Sequence, residues 1–207
     1  MEPKKRNLTQ DAVLAAAVEI TEKNGLESLR IRELAKKLGV KPPSLYNHIK
    51  GLDDARRRLA CFALEKLEAA LRDTALGYSR EEALRKIARA YRCFAQSRPE
   101  LYKAFTARQF SGGSGAMEAK QAAVCAFYKA LEPYRLDYET KVHFIRSFRS
   151  ALHGFVSLEG AGFFKNGVDA EKSFETLVEI IIAPLAQTRK ENEAAALARF
   201  TEGARRE

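Results

Sequence analysis

The chain has 207 residues, 46% of them apolar, which is enough to bury a substantial core and argues against a disordered polypeptide or a cross-linked miniprotein. Its net charge of +9 favours an anionic partner, and residues 1–60 hold more than half of the excess, with thirteen Lys and Arg against eight Asp and Glu. No stretch approaches the roughly 20 apolar residues of a membrane span, and MEPKKRNLTQ lacks the apolar run of a secretion signal, so the expected location is the cytoplasm.

Thr9 is placed to cap a first helix that runs to about Asn24, with Val13, Ala16, Ala17 and Ile20 on one side and Gly25 ending it. Ile31, Leu34, Ala35 and Leu38 then recur at the spacing of one buried helical face, while Glu33, Lys36 and Lys37 lie off it. Gly39 supplies the left-handed residue that turns the chain, and Val40 is an apolar plug between two helices. Pro42 and Pro43 open the next helix, where the first N–H groups have no intrahelical partner in any case. Leu45 and Ile49 face inward and leave Lys41, Ser44, Tyr46, Asn47 and His48 outside, a set rich in phosphate-seeking and base-reading groups. Four lysines and no acid lie between Lys36 and Lys50. From these residues alone, a head over about Asn7 to Ile49 reads either as a helix-turn-helix that docks on DNA or as a helical hairpin with a polar outer side.

Gly51, Leu52, Asp53 and Asp54 open a fourth helix, with both aspartates where the helix dipole favours negative charge, and it continues through Leu59, Phe62, Ala63, Leu67 and Leu71. Ser79 with Glu82, and Ser97 with Glu100, have the Ser-x-x-Glu spacing of helix starts. FSGGSG at 110–115 is a flexible break before a helix from Met117 to about Glu132, with Val124, Phe127, Tyr128 and Leu131 inward. A long helix begins at Asp137 or Tyr138 and ends near Gly160, and Asp169 caps another that runs to about Gln187. There Phe174, Leu177, Val178, Ile181 and Leu185 form a stripe, yet Ile180 and Ile182 are apolar on other sides. Burial from two directions is implied, with a second subunit as one wall or, alternatively, a central position in a monomer. Residues 190–207 are charged and Ala-rich, and read as a frayed or helical tail. Cys61, Cys93 and Cys125, odd in number and widely spaced, read as reduced, mostly buried thiols.

The head resembles the DNA-binding domain of the TetR family of bacterial regulators through Thr9, Val13, Leu14, Ala17, Ile20 and Gly25, then Ile31, Leu34, Ala35, Gly39 and Val40, then Leu45, Tyr46 and His48. RPELY at 98–102 and ALHGFVSLEGAGFF at 151–164 resemble a subgroup with a His-Gly element in the penultimate long helix. The resemblance implies an all-α fold of about nine helices: a three-helix helix-turn-helix domain over residues 1–50, a helical ligand-binding and dimerisation domain over 51–187, and a charged tail over 188–207. It further implies a homodimer through the last two long helices, a near-palindromic operator in double-stranded DNA, repression, and a small-molecule effector, with no cofactor and no metal. Such a protein works in the bacterial cytoplasm, at the nucleoid.

In the family the helix after the turn enters the major groove, which carries over Lys41, Pro43, Ser44 and Asn47 as base or groove contacts and Tyr46, His48 and Lys50 as phosphate contacts. Three positions depart from the family pattern. Arg30 replaces a capping Thr and adds a long cationic phosphate contact. Lys41 replaces a capping Ser before Pro42 and Pro43, which predicts a helix that starts one residue late. Leu52 replaces a Lys, so that phosphate contact is either missing or moved to Lys50. Lys4, Lys5 and Arg6 read either as an arm along DNA or as a solvated run.

The effector pocket is expected among the middle helices, with Tyr91, Phe94, Phe105, Phe127 and Tyr128 as candidate lining residues. Arg146, Arg149 and His153 fall on one side of the penultimate long helix; they face solvent, meet an acid such as Glu159, or await an anionic or polar ligand. Two other classes of function are weighed. An enzyme finds no support: the three histidines make no His-x-x-x-His pair, and Ala116 breaks the Gly-x-Ser-x-Gly pattern around Ser114. A DNA-architectural protein would bind without sequence preference.

Overall fold

The computed structural model describes residues 8–106, 121, 124–165 and 167–203, and side chains as far as residue 187. The described residues form nine α-helices and no strand, so the fold is all-α. They divide into two compact units, one holding Met1–Leu67 and Ser97–Ala123, the other Glu68–Gln96 and Val124–Glu207. Lys4–Arg6, the 110–115 break and the start expected at Met117 lie outside the described residues.

In the first unit, α1 (Gln10–Asn24) starts as its cap dictates: Thr9 Oγ1 accepts the Ala12 N–H at 3.1 Å. Val13, Ala16, Ala17 and Ile20 are buried, and Gly25 breaks the helix at φ 86°. A 3₁₀ turn (Leu26–Ser28) leads to α2 (Ile31–Leu38), which buries Leu34 and Ala35. At its end Gly39 takes φ 68°, the Gly39 N–H donates to Lys36 O at 3.3 Å, and the Val40 N–H donates to Ala35 O at 3.0 Å, so the last carbonyls are satisfied as the chain reverses. Helix α3 (Pro42–Leu45) is one turn long and begins directly after Lys41, whose extended backbone (ψ 145°) is what the following proline demands. The late start expected from the proline pair is therefore not seen: Pro42 itself takes the first helical position.

Helix α4 (Leu52–Ala75) follows the bend at Gly51, and its buried residues include Leu59, Ala60, Ala63, Leu64, Leu67 and Leu71. Helix α5 (Arg80–Ser97) ends where α6 (Pro99–Thr106) turns back to the first unit. Glu100, expected to cap its own helix, instead reaches the 3₁₀ turn: its Oε2 accepts the Leu26 N–H at 2.8 Å, while Oε1 pairs with Lys103 Nζ at 2.5 Å. Those two donors, Lys103 foremost, hold the Glu100 carboxyl below its usual range.

The second unit contains most of α5, then α7 (Cys125–Leu131), α8 (Tyr138–Gly160) and α9 (Ala170–Gly203). Asp137 caps α8 by accepting the Thr140 N–H at 2.9 Å, and Asp169 accepts the Glu171 N–H at 2.9 Å beside the start of α9. Phe127 meets Phe148 edge-on at 6.0 Å inside this core. Helix α9 runs past the expected end at Gln187 to Gly203, within the segment read as a frayed or helical tail. Its buried stripe is Phe174, Val178, Ile182 and Leu185; Leu177 and Ile181 are half-buried and Ile180 is 67% exposed. Ile182, not Ile181, thus belongs to the core.

Charge fastens α5 to α9. Arg85 and Arg89 meet Glu179 and Glu175 at 2.6 and 2.9 Å, and Arg92 pairs with Glu171. The steps along the two helices run in opposite directions, as antiparallel neighbours require. Arg92 is 8% exposed, also grips Glu159 at 2.6 Å, and lies 5.7 and 4.9 Å from the ring centres of Phe155 and Phe174. Arg92 holds the Glu159 carboxyl well below its ordinary range.

Candidate nucleic-acid interface

Burial of Leu45 and Ile49, at 0% and 2% exposure, fixes which side of the α3 segment looks outward. Lys41, Pro43, Asn47 and Lys50 are exposed, Tyr46 is 57% exposed, and Ser44 and His48 are half-buried. The groups expected to meet bases and phosphates therefore share one solvent-facing strip around a two-residue apolar anchor. Neither Arg30 nor Lys41 makes a side-chain cap, so substituting long cations for Thr and Ser leaves two helix starts uncapped and two extended cations exposed. Lys37 is engaged by Glu19.

The segment's exit is held by a group whose role is not evident from sequence. Asp54, in the first turn of α4, is buried; its Oδ2 accepts the Lys50 N–H and Arg58 Nε, each at 3.1 Å, and its Oδ1 pairs with Arg57. Burial by itself raises such a carboxyl, but these donors outweigh it and keep Asp54 below the usual carboxylate range. The helix-start pattern marks an acid at this position; nothing in it distinguishes buried Asp54 from exposed Asp53.

Of the expected pocket residues, Tyr91, Phe94 and Phe127 are buried and Tyr128 half-buried in the second unit; Phe105 belongs to the first, packed on the Ala60 and Leu64 cluster and edge-on to Tyr102 at 5.2 Å. Arg146 and His153 are exposed and Arg149 half-buried; Glu159, offered as their acidic neighbour, is taken by Arg92 and Gln96. A groove of about 230 Å³ in the second unit is lined by Arg85, Arg89, Phe174, Glu175, Val178 and Glu179, none of them foreseen as pocket residues. The thiols are less buried than expected: Cys61 is half-buried, Cys93 and Cys125 are exposed. Among the described residues no group of three His, Cys, Asp or Glu side chains is placed to hold a metal ion, and no helix is long and apolar enough to cross a membrane.

Comparison with known proteins assigns the class. Residues 13–50 match the family profile of bacterial regulatory proteins of the tetR family, and residues 84–181 match the tetracyclin repressor-like C-terminal domain. The chain is 33% identical to an uncharacterised HTH-type transcriptional regulator of Mycobacterium tuberculosis, Rv0681, over 83% of its own length and 78% of the relative's. It is 32% identical to a second such regulator, YobS of Bacillus subtilis, over 88% and 95%. The fold is also that of Streptomyces coelicolor ActR, solved in complex with (S)-DNPA, at a TM-score of 0.66 and 19% identity, covering 88% of this chain and 98% of that one. The chain belongs to the TetR family and is a DNA-binding transcriptional regulator, not an enzyme.

Proposed function

We propose that this regulator is a ligand-responsive repressor that binds a near-palindromic operator as a homodimer in the bacterial cytoplasm, at the nucleoid. Residues 1–50 act as the DNA-binding head, 51–187 as the ligand-binding and dimerisation part, and 188–207 as its charged tail. The observation that carries the reading is the buried Leu45 and Ile49 beneath an exposed Lys41, Tyr46, Asn47 and Lys50. Asn47 suits an adenine edge and Lys41 a guanine edge, with Pro43 and Ser44 beside them in the groove; Tyr46, His48, Lys50 and Arg30 suit phosphate oxygens.

Dimerisation is supported by apolar surface left on the last two long helices: Leu158 on α8 and Ile180 on α9 are exposed beside half-buried Leu177 and Ile181. Two heads so joined would meet successive major grooves about 34–36 Å apart. A small-molecule effector is supported by the complex solved for ActR and by the aromatic groups Tyr91, Phe94, Phe127 and Tyr128 of the second unit. Ligand acts by favouring a dimer whose heads are misplaced, for which a differential affinity of about 1–3 kcal/mol suffices.

The test is selection of duplexes from a random pool by the full chain, then competition binding at fixed salt. A selected, near-palindromic duplex that outcompetes its scrambled version by roughly a thousandfold is the expected result. Equal competition by scrambled DNA would overturn the reading.

A further inference from the structure

The backbone between the DNA-contacting strip and α4 passes through Gly51 at φ 142°, and a Cβ added there would meet nothing within 4 Å. No side chain packs on the open side of Gly51, so beyond the buried Leu45 and Ile49 the bend is held by hydrogen bonds. The Ala55 N–H donates to Gly51 O at 3.1 Å, and the Lys50 N–H donates to Asp54 Oδ2 at 3.1 Å from the far side of the glycine. The same carboxylate holds Arg57 and Arg58, and Arg58 continues through Nη1 to Gln10 Oε1 at 2.8 Å in the first turn of α1. One acid thus joins the exit of the strip, the start of α4 and the start of α1. An acid serving only the helix dipole has no need of burial, as exposed Asp53 one residue earlier illustrates, and a buried carboxylate is costly unless donors surround it.

We propose that Asp54 is a positioning residue for DNA binding: its carboxylate clamps Lys50 across the Gly51 bend and holds Tyr46, Asn47, His48 and Lys50 at a set angle to α4 and α1. The proposal rests on the reading of that strip as the DNA-contacting surface. In Asp54→Asn one carboxylate oxygen becomes an NH₂ group that confronts a guanidinium, donor against donor, so at least one partner is released.

The experiment uses the full chain and the duplex it selects from a random pool, with affinity measured across a salt series and amide exchange measured at Lys50. For Asp54→Asn we expect binding weaker by roughly tenfold, a salt slope shallower by about one phosphate contact, faster exchange of the Lys50 amide, and unchanged helical content. Asp54→Glu, which keeps the charge, should recover part of the loss. Wild-type affinity in Asp54→Asn, or weaker binding with unaltered salt slope and unaltered Lys50 exchange, would overturn the proposal. Should Asp54→Asn fail to fold, Asp54→Glu decides: it keeps the charge but shifts the carboxylate relative to the Lys50 N–H, so roughly threefold weaker binding with faster Lys50 exchange is expected, and wild-type values of both refute the clamp. Failure of the underlying DNA reading is visible separately, because the unmodified chain would then select no sequence.

Discussion

Each unit is stabilised internally by different means. The elements of the head are bounded by interactions a few residues long, Thr9 with Ala12, Gly39 at its turn, Leu45 and Ile49 one helical turn apart, although the first unit also has distant ties, Glu100 with Leu26 and Arg58 with Gln10, 74 and 48 residues apart. The second unit relies on partners far apart in sequence, with Arg85 and Glu179 separated by 94 residues and Arg92 and Glu159 by 67. The difference suits the work assigned to each. A surface that must match a fixed duplex gains from a stiff, locally specified form, whereas a helix pair keyed by side-chain tips at several levels can be re-registered by changing a few charges.

Substitutions can break this contrast, beginning with the largest effect. Arg92→Leu leaves Glu159 and Glu171 without their shared cation against the Phe155 and Phe174 rings, and should cost about 3 kcal/mol in denaturant unfolding. Exchanging an outer rung, Arg85→Glu with Glu179→Arg, should restore most of what either single change loses; each single loss is about 0.5 kcal/mol because Glu179 is exposed and Arg85 only half-buried. Between these in size lies a change in the head. Gly39→Ala forces a side chain into φ 68° where its Cβ meets nothing, so the loss of about 1 kcal/mol is purely conformational and should appear as a lower melting temperature.

Acid sharpens the comparison further. Asp54 and Glu100 in the first unit and Glu159 in the second all have carboxyls lowered in the folded state, so the chain takes up protons when it unfolds in acid. Their contribution is complete above the ordinary carboxylate range and is lost as pH falls through the lowered folded values. Denaturant midpoints should therefore drop from pH 6 toward pH 3, and Glu159→Gln should reduce the part of that drop belonging to the second unit.

The same contrast explains what the sequence makes legible. Thr9, Gly25 and Gly39 mark the bounds of α1 and α2 because caps and left-handed turns are written at the position where they act. Asp137 marks α8 for the same reason. The arginine ladder is not legible, since α5 and α9 look like ordinary charged faces until they are brought side by side. The spacing of Ser97 with Glu100 marks the start of α6, but the Glu100 tie to Leu26 is not legible because that partner lies 74 residues away. For the strip around α3, the inward Leu45 and Ile49 give the outward residues directly. For the pocket, aromatic spacing identifies buried side chains such as Phe127 but does not say which share a cavity.

The proline pair at the start of α3 has a chemical consequence for what that end can read. Pro42 and Pro43 have no N–H, and the next amide, that of Ser44, already donates to Lys41 O at 2.9 Å. The opening turn therefore shows an approaching duplex no free main-chain hydrogen. Whatever preference arises there must be expressed by interchangeable side groups, so the base choice at that end of the site can drift by point substitution without rebuilding the backbone beneath it.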